Sequence, residues 1–445
     1  MGVHDGRIAQ LGGEMRGDQE LDAYGKLLLP GGVDAHVHLS NRPDNLDQPR
    51  WVDDFTSGSA AALAGGITTV GNMTFLAPGE RPLEGLRREA AVAEQQAIAD
   101  VFLRPVLLSP DDATLQDIPR LLDHGCSSIK VFLTSPHFDA ELSGWTSAIE
   151  RARAAGLISM LHCEDSSLLR YAEARLAAAG RTALRYFPES RPPLSEVVAT
   201  QRAVAIAEAT GAPVYVVHLS CARALEVCTA ARARGASVFV ETRPLYLHLT
   251  GDLFESDPEC GLYVGQPPLR ERSDVDALWA GLRQGSIDTV CTDHAPWSRS
   301  AKLDPALSIS HLRPGVENLQ LMLPMLYSEG VRSGRISLRR LVELTSTTAA
   351  RLFGVFPSKG TLAVGSDADV VILDPDLTRT VTADLLQSNA DYSVYEGWSV
   401  TGWPRVTIRR GQIVFKDDQF LGAAGSGRVL SCGPTMARAG RTSPS

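Results

Sequence analysis

The chain has 445 residues, 44% hydrophobic and 21% charged, with 39 Gly and 26 Pro, which is ordinary for a folded protein with a large core and a smaller satellite domain. A formal net charge of −9, spread along the chain, argues against a nucleic-acid polyanion as partner. No apolar run reaches the roughly 20 residues that cross a bilayer, and no secretory signal precedes seven oddly spaced cysteines, so a membrane location is excluded and a reducing cytoplasm expected.

In chain order, Asp5–Leu11 and Asp22–Leu29 read as short strands with Gly turns. Eight apolar, β-branched runs then alternate with helical patterns: Leu27–Leu39, Gly66–Thr74, Asp100–Leu108, Ser128–Thr134, Leu157–Cys163, Pro213–Ser220, Ala236–Thr242 and Ile287–Thr292. Such continuous runs suit parallel strands buried on both faces. The helices between them include Asp53–Ala64, Asp111–His124, Ser195–Thr210, Ala222–Ala233 and Ser273–Arg283. Asp53, Asp111 and Ser195 are expected as N-terminal caps, and Gly65, Gly125 and Gly211 as stops. Eight strands with intervening helices predict an α/β fold, a closed (β/α)8 barrel over residues 30–355. An open doubly wound sheet is the alternative, but the place of its glycine-rich phosphate loop is taken by His36-Val37-His38.

Beyond Lys359, strands at Val370–Leu373 and Val406–Phe415 lie among Gly and Pro. Residues 1–29 and 356–421 are therefore expected to form one small β-sandwich domain. Residues 422–445, rich in Gly, Ala, Ser and Arg and lacking acids, are expected to be a mobile tail.

Five segments bring the chemistry: Asp34-Ala35-His36-Val37-His38, Lys130, His162, His218 and Asp293. Residues i and i+2 of a strand point the same way, so His36 and His38 can grip one ion. Asp34 either orients a neighbouring imidazole or satisfies backbone donors. A lysine inside an apolar strand is costly unless it is paired or altered, although one at a strand end can snorkel. A lone His162 or His218 is more often a hydrogen-bonded core residue, and Asp293 alone could cap a helix. What weighs against chance is that all fall at carboxyl ends of predicted strands, where barrel active sites gather. Cys163 and Cys291 share those strands. A catalytic thiol is weighed there against a small buried strand residue, and the latter is preferred.

These residues, with Pro30-Gly31-Gly32-Val33, Gly65-Gly66-Ile67-Thr68-Thr69, Ile129-Lys130-Val131-Phe132, Ser190-Arg191-Pro192-Pro193, Thr292-Asp293-His294-Ala295-Pro296 and Gly365-Ser366-Asp367-Ala368-Asp369, resemble the amidohydrolase superfamily, in its cyclic amidase group. The resemblance runs from Asp5 to Phe420. It implies two divalent metal ions, zinc before manganese, cobalt or iron. His36, His38, Lys130 and Asp293 would hold one; Lys130, His162 and His218 the other, with Lys130 carboxylated by CO2 to bridge both. It further implies hydrolysis of a cyclic amide by a metal-bridging hydroxide, with Asp293 passing the proton to the departing ring nitrogen.

Gln266-Pro267-Pro268-Leu269-Arg270, Leu278–Leu282, Pro314-Gly315-Val316-Glu317 and Tyr395-Glu396-Gly397-Trp398 are similar to the hydantoinase and dihydropyrimidinase branch. Three positions depart from it. Ser135 stands where the branch has an oxyanion-stabilising tyrosine, a donor whose loss can cost about 2.7–4 kcal/mol, with His137 nearby as a substitute donor or a surface residue. Gln266 replaces a usual serine, and His311 stands near a usual asparagine; in the family both places meet substrate largely through backbone groups. Dihydroorotases bind an acidic substrate with an arginine directly after this motif, whereas here Ser40 follows and Arg42 comes later. Family members also commonly carry further residues before Asp5, so either the start lies upstream or the small domain is short at this end.

The expected function is opening of a hydantoin-like or dihydropyrimidine-like ring, with Ser135, Gln266, His311 and Arg42 as candidate substrate contacts. Allantoinase or another ureide hydrolase is the first alternative, followed by dihydroorotase and by a non-catalytic scaffold. The partners implied are a small cyclic amide and further copies of the chain, as a homodimer or homotetramer, with neither nucleic acid nor membrane.

Overall fold

The computed structural model describes residues 1–40 and 50–436. Eight parallel strands, β4 (Gly32–Val37), β5 (Ile67–Phe75), β6 (Asp100–Val106), β7 (Ser128–Phe132), β8 (Ile158–His162), β9 (Val214–Val216), β10 (Val238–Thr242) and β11 (Thr289–Val290), pair in chain order. The last returns to the first: Val37 and His294 form a parallel bridge, and the His38 amide donates to the His294 carbonyl at 2.9 Å. The expected (β/α)8 barrel is therefore closed, and its strands are buried on both faces.

The first expected strand is two. Leu27–Pro30 (β3) and Gly32–Val37 part at Gly31, where an added Cβ would sit 2.1 Å from Thr68 Oγ1. Pro30 ends one ladder, having no amide hydrogen to continue it. β3 leaves the barrel and pairs antiparallel with β12 (Val370–Thr380). That strand continues into β13 (Ser399–Arg409), β14 (Gln412–Lys416) and β15 (Gln419–Phe420), a five-stranded antiparallel sheet. The single run expected over Val406–Phe415 is thus a hairpin, turned by left-handed Arg410 and Gly411. A second hairpin, β1 (Gly2–His4) with β2 (Arg7–Gln10), is tied to this sheet's approach by Ile8 and Gly365–Ser366 hydrogen bonds. Both chain ends build the small β unit, as expected.

Helix starts also sharpen. Asp54, not Asp53, caps Phe55–Ala64, accepting from Thr56 and Ser57 amides; Asp53 accepts from His294 instead. Asp111 caps its helix as expected, but the α-helix ends at Asp117 because Pro119 forces 3-10 turns onward. Ser195 lies within the first turn of Pro193–Thr210, which starts at a proline suited to that position.

The tail expected to be mobile is docked through Met436. Val429 bridges Val101, and the amides of Leu430, Cys432, Gly433 and Thr435 donate to Val101, Gly125, Gly354 and Gly156. Composition misleads here because glycine allows close approach: a Cβ on Gly354 would lie 2.0 Å from the Gly433 carbonyl oxygen. Cys432 and Phe353 join Phe102, Met160, Tyr215 and Val217 in a buried cluster distinct from the larger core. Residues 437–445 of that expectation lie outside the described residues. No helix of the described residues is long and apolar enough to cross a membrane.

Candidate metal centre and active site

Every expected ligand sits at a carboxyl end of a barrel strand. His36 is in β4 and His38 one residue beyond it; Lys130 is in β7 and His162 ends β8. His218 and Asp293 follow the short strands β9 and β11 with left-handed backbones, φ +38° and +50°. Non-glycine residues adopt that region at a cost, which local structure must hold in place. For His218 the hold is visible: its amide donates to Glu241 Oε1 at 2.8 Å.

The side chains converge. Asp293 Oδ1 lies 3.1 Å from His36 Nε2 and 2.9 Å from His38 Nε2, and the donor atoms of these three residues lie within 4.8 Å of one another. The His162 and His218 rings are 4.5 Å apart, centre to centre, and His36 and His218 are 5.6 Å apart. Lys130 Nζ is buried, has no hydrogen-bond partner among the described residues, and lies 4.8 Å from the Phe132 ring. His38 Nδ1 and His218 Nδ1 are likewise buried without partners.

Two carboxylates stand behind the imidazoles. Glu241, the fourth residue of β10, accepts from His36 Nδ1 at 2.8 Å through Oε1 and from the Tyr215 hydroxyl at 2.9 Å through Oε2. With Nδ1 so engaged, Nε2 of His36 is free to act as a ligand. Glu164 pairs with His162 Nε2 at 2.8 Å and with Arg191 through two bonds of 2.9 and 2.7 Å. That leaves Nδ1 of His162 for the centre. Asp34 takes the second of its two expected roles: it accepts from the His36 amide and from Thr292, tying the first strand to the last. Neither of the two carboxylate roles beyond Asp34, those of Glu241 and Glu164, was assigned from sequence. Glu241 had the same signal as Lys130, a charge inside an apolar strand.

Electrostatics favour the ligand forms. Burial lowers His38 to about 4 and holds His218 well below the ordinary imidazole range. His162 is lowered by burial against the pull of Glu164. His36 alone is raised, because Glu241 and Asp293 outweigh its burial. Burial would raise Asp293, but Arg243, whose Nη1 is 3.0 Å from Oδ2, and His36 hold it well below the usual carboxylate range. Burial brings Lys130 down to about 8. Three imidazoles held neutral, a fourth whose neighbouring carboxylates favour a positive charge that a cation can supply in place of a proton, an ionised carboxylate and a lysine able to shed its proton match what a divalent cation needs, so the donor set fits a metal centre.

The ligands floor a cavity of about 270 Å³. Trp51, Phe75, Val106, Leu108, Phe132 and Pro314 give it an apolar wall; Gln266 and Gly315 give it peptide groups. Of the candidate substrate contacts among the described residues, Gln266 alone lines it. Ser135 is half-buried in the turn after β7, its amide bonded to the Phe132 carbonyl, and is not in the cavity wall. His311 is exposed, exchanging backbone bonds with Ser308, and His137 is exposed as well. The turn directs both Ser135 and His311 elsewhere, which strand-end spacing alone could not reveal. Arg42 lies outside the described residues. Cys163 and Cys291 are buried, with burial raising both thiols far above the range of a reactive thiolate.

A closed parallel barrel with this ligand set at its carboxyl mouth defines a class, and the comparison with known families agrees. The profile of the amidohydrolase family matches residues 27–414, and the chain belongs to that family. Within it the place is the hydantoinase- and dihydropyrimidinase-like group. A D-hydantoinase of Ralstonia pickettii is 35% identical over 440 residues, covering 97% of this chain and 94% of its own. A D-phenylhydantoinase of Escherichia coli O1:K1 / APEC is 38% identical, covering 96% and 93%. The crystal structure of a dihydropyrimidinase from Brevibacillus agri NCHU1002 superposes with a TM-score of 0.91 at 34% identity, covering 97% and 95%.

Proposed function

We propose that the protein opens a hydantoin-like ring bearing an apolar, preferably aromatic, substituent, using two divalent metal ions, zinc first, and Lys130 as N6-carboxylysine. That it is a hydrolase of cyclic amides follows from its close and nearly full-length relation to hydantoinases. The observation behind the metal assignment is Lys130: a buried amine without a partner among the described residues, lining the same cavity as the His36–His38–Asp293 group and the His162–His218 pair. Its neutral amine would add to CO2, forming an N–C bond and releasing one proton, and the singly charged carbamate so made would offer two oxygens as ligands. His36, His38 and Asp293 would hold one ion, His162 and His218 the other, with the carbamate shared.

Bound there, the ion pair supplies an acidified water and an electrophile for the ring carbonyl. Asp293 accepts the proton that the attacking water loses and delivers it to the departing ring nitrogen. Arg243 against Oδ2 keeps Oδ1 turned toward His36 and His38. Glu241 and Glu164 hold the imidazoles in the tautomers that face the centre. The peptide N–H and C=O of Gln266 have no hydrogen-bond partner among the described residues and stand at the cavity wall, suited to the polar edge of the ring. The wall of Trp51, Phe75, Leu108 and Phe132 suits an apolar ring substituent. Ser135 has no place in this reading, and Arg42 none that geometry assigns.

The test is an assay panel on purified, metal-quantified protein: dihydrouracil, hydantoin, 5-phenyl- and other 5-substituted hydantoins, allantoin and dihydroorotate. Preferred turnover of 5-aryl hydantoins with two metals per chain is the expected result. Metal-loaded protein that opens only allantoin or dihydroorotate overturns the substrate assignment. Light scattering of the same sample tests assembly as a homodimer or homotetramer.

A further inference from the structure

Another buried lysine, Lys302, takes no part in the metal centre. Lys302 ends the short helix Arg299–Lys302, and its side chain is 1% exposed. No carboxylate lies within ion-pair reach of it among the described residues. Instead Nζ donates to three backbone carbonyls: Val264 at 2.6 Å, Arg313 at 2.9 Å and Gly315 at 3.0 Å. An ammonium buried away from any counter-charge is tolerated only where its N–H groups are all engaged, and three carbonyl dipoles match three donors.

Those carbonyls belong to two separate segments. One runs from Val264 to Gln266, after the 3-10 turn Cys260–Tyr263; the other is Arg313–Gly315. Both reach the cavity, through Gln266, Pro314 and Gly315, whereas Lys302 stands behind them and does not line it. The segments touch each other at one backbone bond, Gly315 N–H to the Val264 carbonyl at 3.0 Å. Gly315 is also pressed against the strand end that bears Asp293. Its φ is +120°, and an added Cβ would lie 2.3 Å from the Ala295 carbonyl oxygen. Trp297 and Tyr246 pin the adjoining Pro314 and Pro267 carbonyls at 2.9 and 2.6 Å. The carbonyls around Gln266 are thus fixed from behind, while its own peptide is left open to the cavity.

We propose that Lys302 is a positioning residue for substrate: it joins the Val264–Gln266 and Arg313–Gly315 segments into one rigid wall. The spacing of that wall from Asp293 sets how well the ring is held. The ring as occupant rests on the proposed function; the joining of the segments does not. Lys302→Met keeps the length and apolar stem but removes all three donors, and Lys302→Gln restores two N–H groups.

Amide exchange over 313–316, read by mass spectrometry, reports the lock directly. Exchange there is expected to be about tenfold faster in Lys302→Met and intermediate in Lys302→Gln. KM for a 5-substituted hydantoin should rise about tenfold with kcat changed less than about threefold and two metals retained. Unchanged exchange in both variants overturns the lock. Faster exchange with unchanged KM overturns the positioning role, as does a fall in kcat with loss of metal. If Lys302→Met does not fold, Lys302→Gln decides by the same readouts. If the wild-type protein opens no cyclic amide, the proposed function fails and the exchange result still decides the lock.

Discussion

At the mouth of the barrel Lys130 is buried with no hydrogen-bond partner among the described residues. At the seam between the barrel's amino end and the small sheet, Lys359 is buried just as deeply but lies 2.6, 2.8 and 3.1 Å from Asp100, Asp369 and Asp367. Arg410 and the Arg428 amide complete that cluster on Asp100. Burial lowers Lys130 to about 8, whereas at Lys359 the three carboxylates overcome burial and raise it. The same residue type, equally buried, is thus a structural tie in one place and an amine without a hydrogen-bond partner among the described residues in the other. What separates them is satisfaction of donors, not burial. At the mouth, His38 Nδ1 and His218 Nδ1 are also unpartnered.

The contrast can be broken most severely at Lys130. Lys130→Ala should lose both metals and about 10⁴-fold or more in turnover while the barrel stays folded, by metal analysis and circular dichroism. Added short-chain carboxylic acids should restore part of each. Retained metal would refute the bridging assignment. Asp293→Asn should cost about 10³-fold in kcat with the fold intact; near-normal kcat would remove Asp293 as proton carrier.

Lys359→Met tests the other side. Buried Asp369 and half-buried Asp367 would lose this cation and buried Asp100 would keep only Arg410, so stability should fall by about 3–5 kcal/mol, with kcat of the folded fraction unchanged. Because folding raises the Lys359 pKa, its contribution is fully present below the lysine's unfolded pKa and is lost only as pH rises through the higher folded one. Denaturant midpoints of wild type and variant should therefore differ equally at pH 6 and pH 9. A gap that closes by pH 9 would show the network was misjudged.

Glu241→Gln should weaken metal binding about 10–100-fold, measured by chelator competition, since it removes the carboxylate behind His36. Affinity equal to wild type would assign Glu241 a purely packing role. The smallest change is expected of Ser135→Ala: kcat within about threefold of wild type, against the roughly 10²-fold or greater loss of a true oxyanion donor. A loss of that larger size would return Ser135 to the site.

The strands, the barrel and the placing of the six candidate ligands at one mouth were legible because each leaves a local mark, an apolar run ending in a residue that does not belong there. Domain closure was less so. Nothing local distinguishes β3 from β4 except Pro30-Gly31, and the hairpin at Arg410-Gly411 is hidden in one apolar stretch. The docked segment through Met436 escaped because backbone bonds to the barrel floor do not depend on side-chain composition. Loop residues were the least legible. Ser135 and His311 were singled out by family resemblance, yet turn geometry keeps both out of the cavity wall, while Glu241 meets His36 across 205 residues of sequence, a pairing that no local pattern marks.

Barrel closure through Val37 and His38 onto His294 has a consequence for how the protein is made. The first two ligands emerge from the ribosome early, but Asp293, which faces them, is synthesised more than half a chain later. Until then His36 and His38 lack the carboxylate that they face, so the three-residue group at the barrel mouth is completed only when the last strand has been made and closed onto the first.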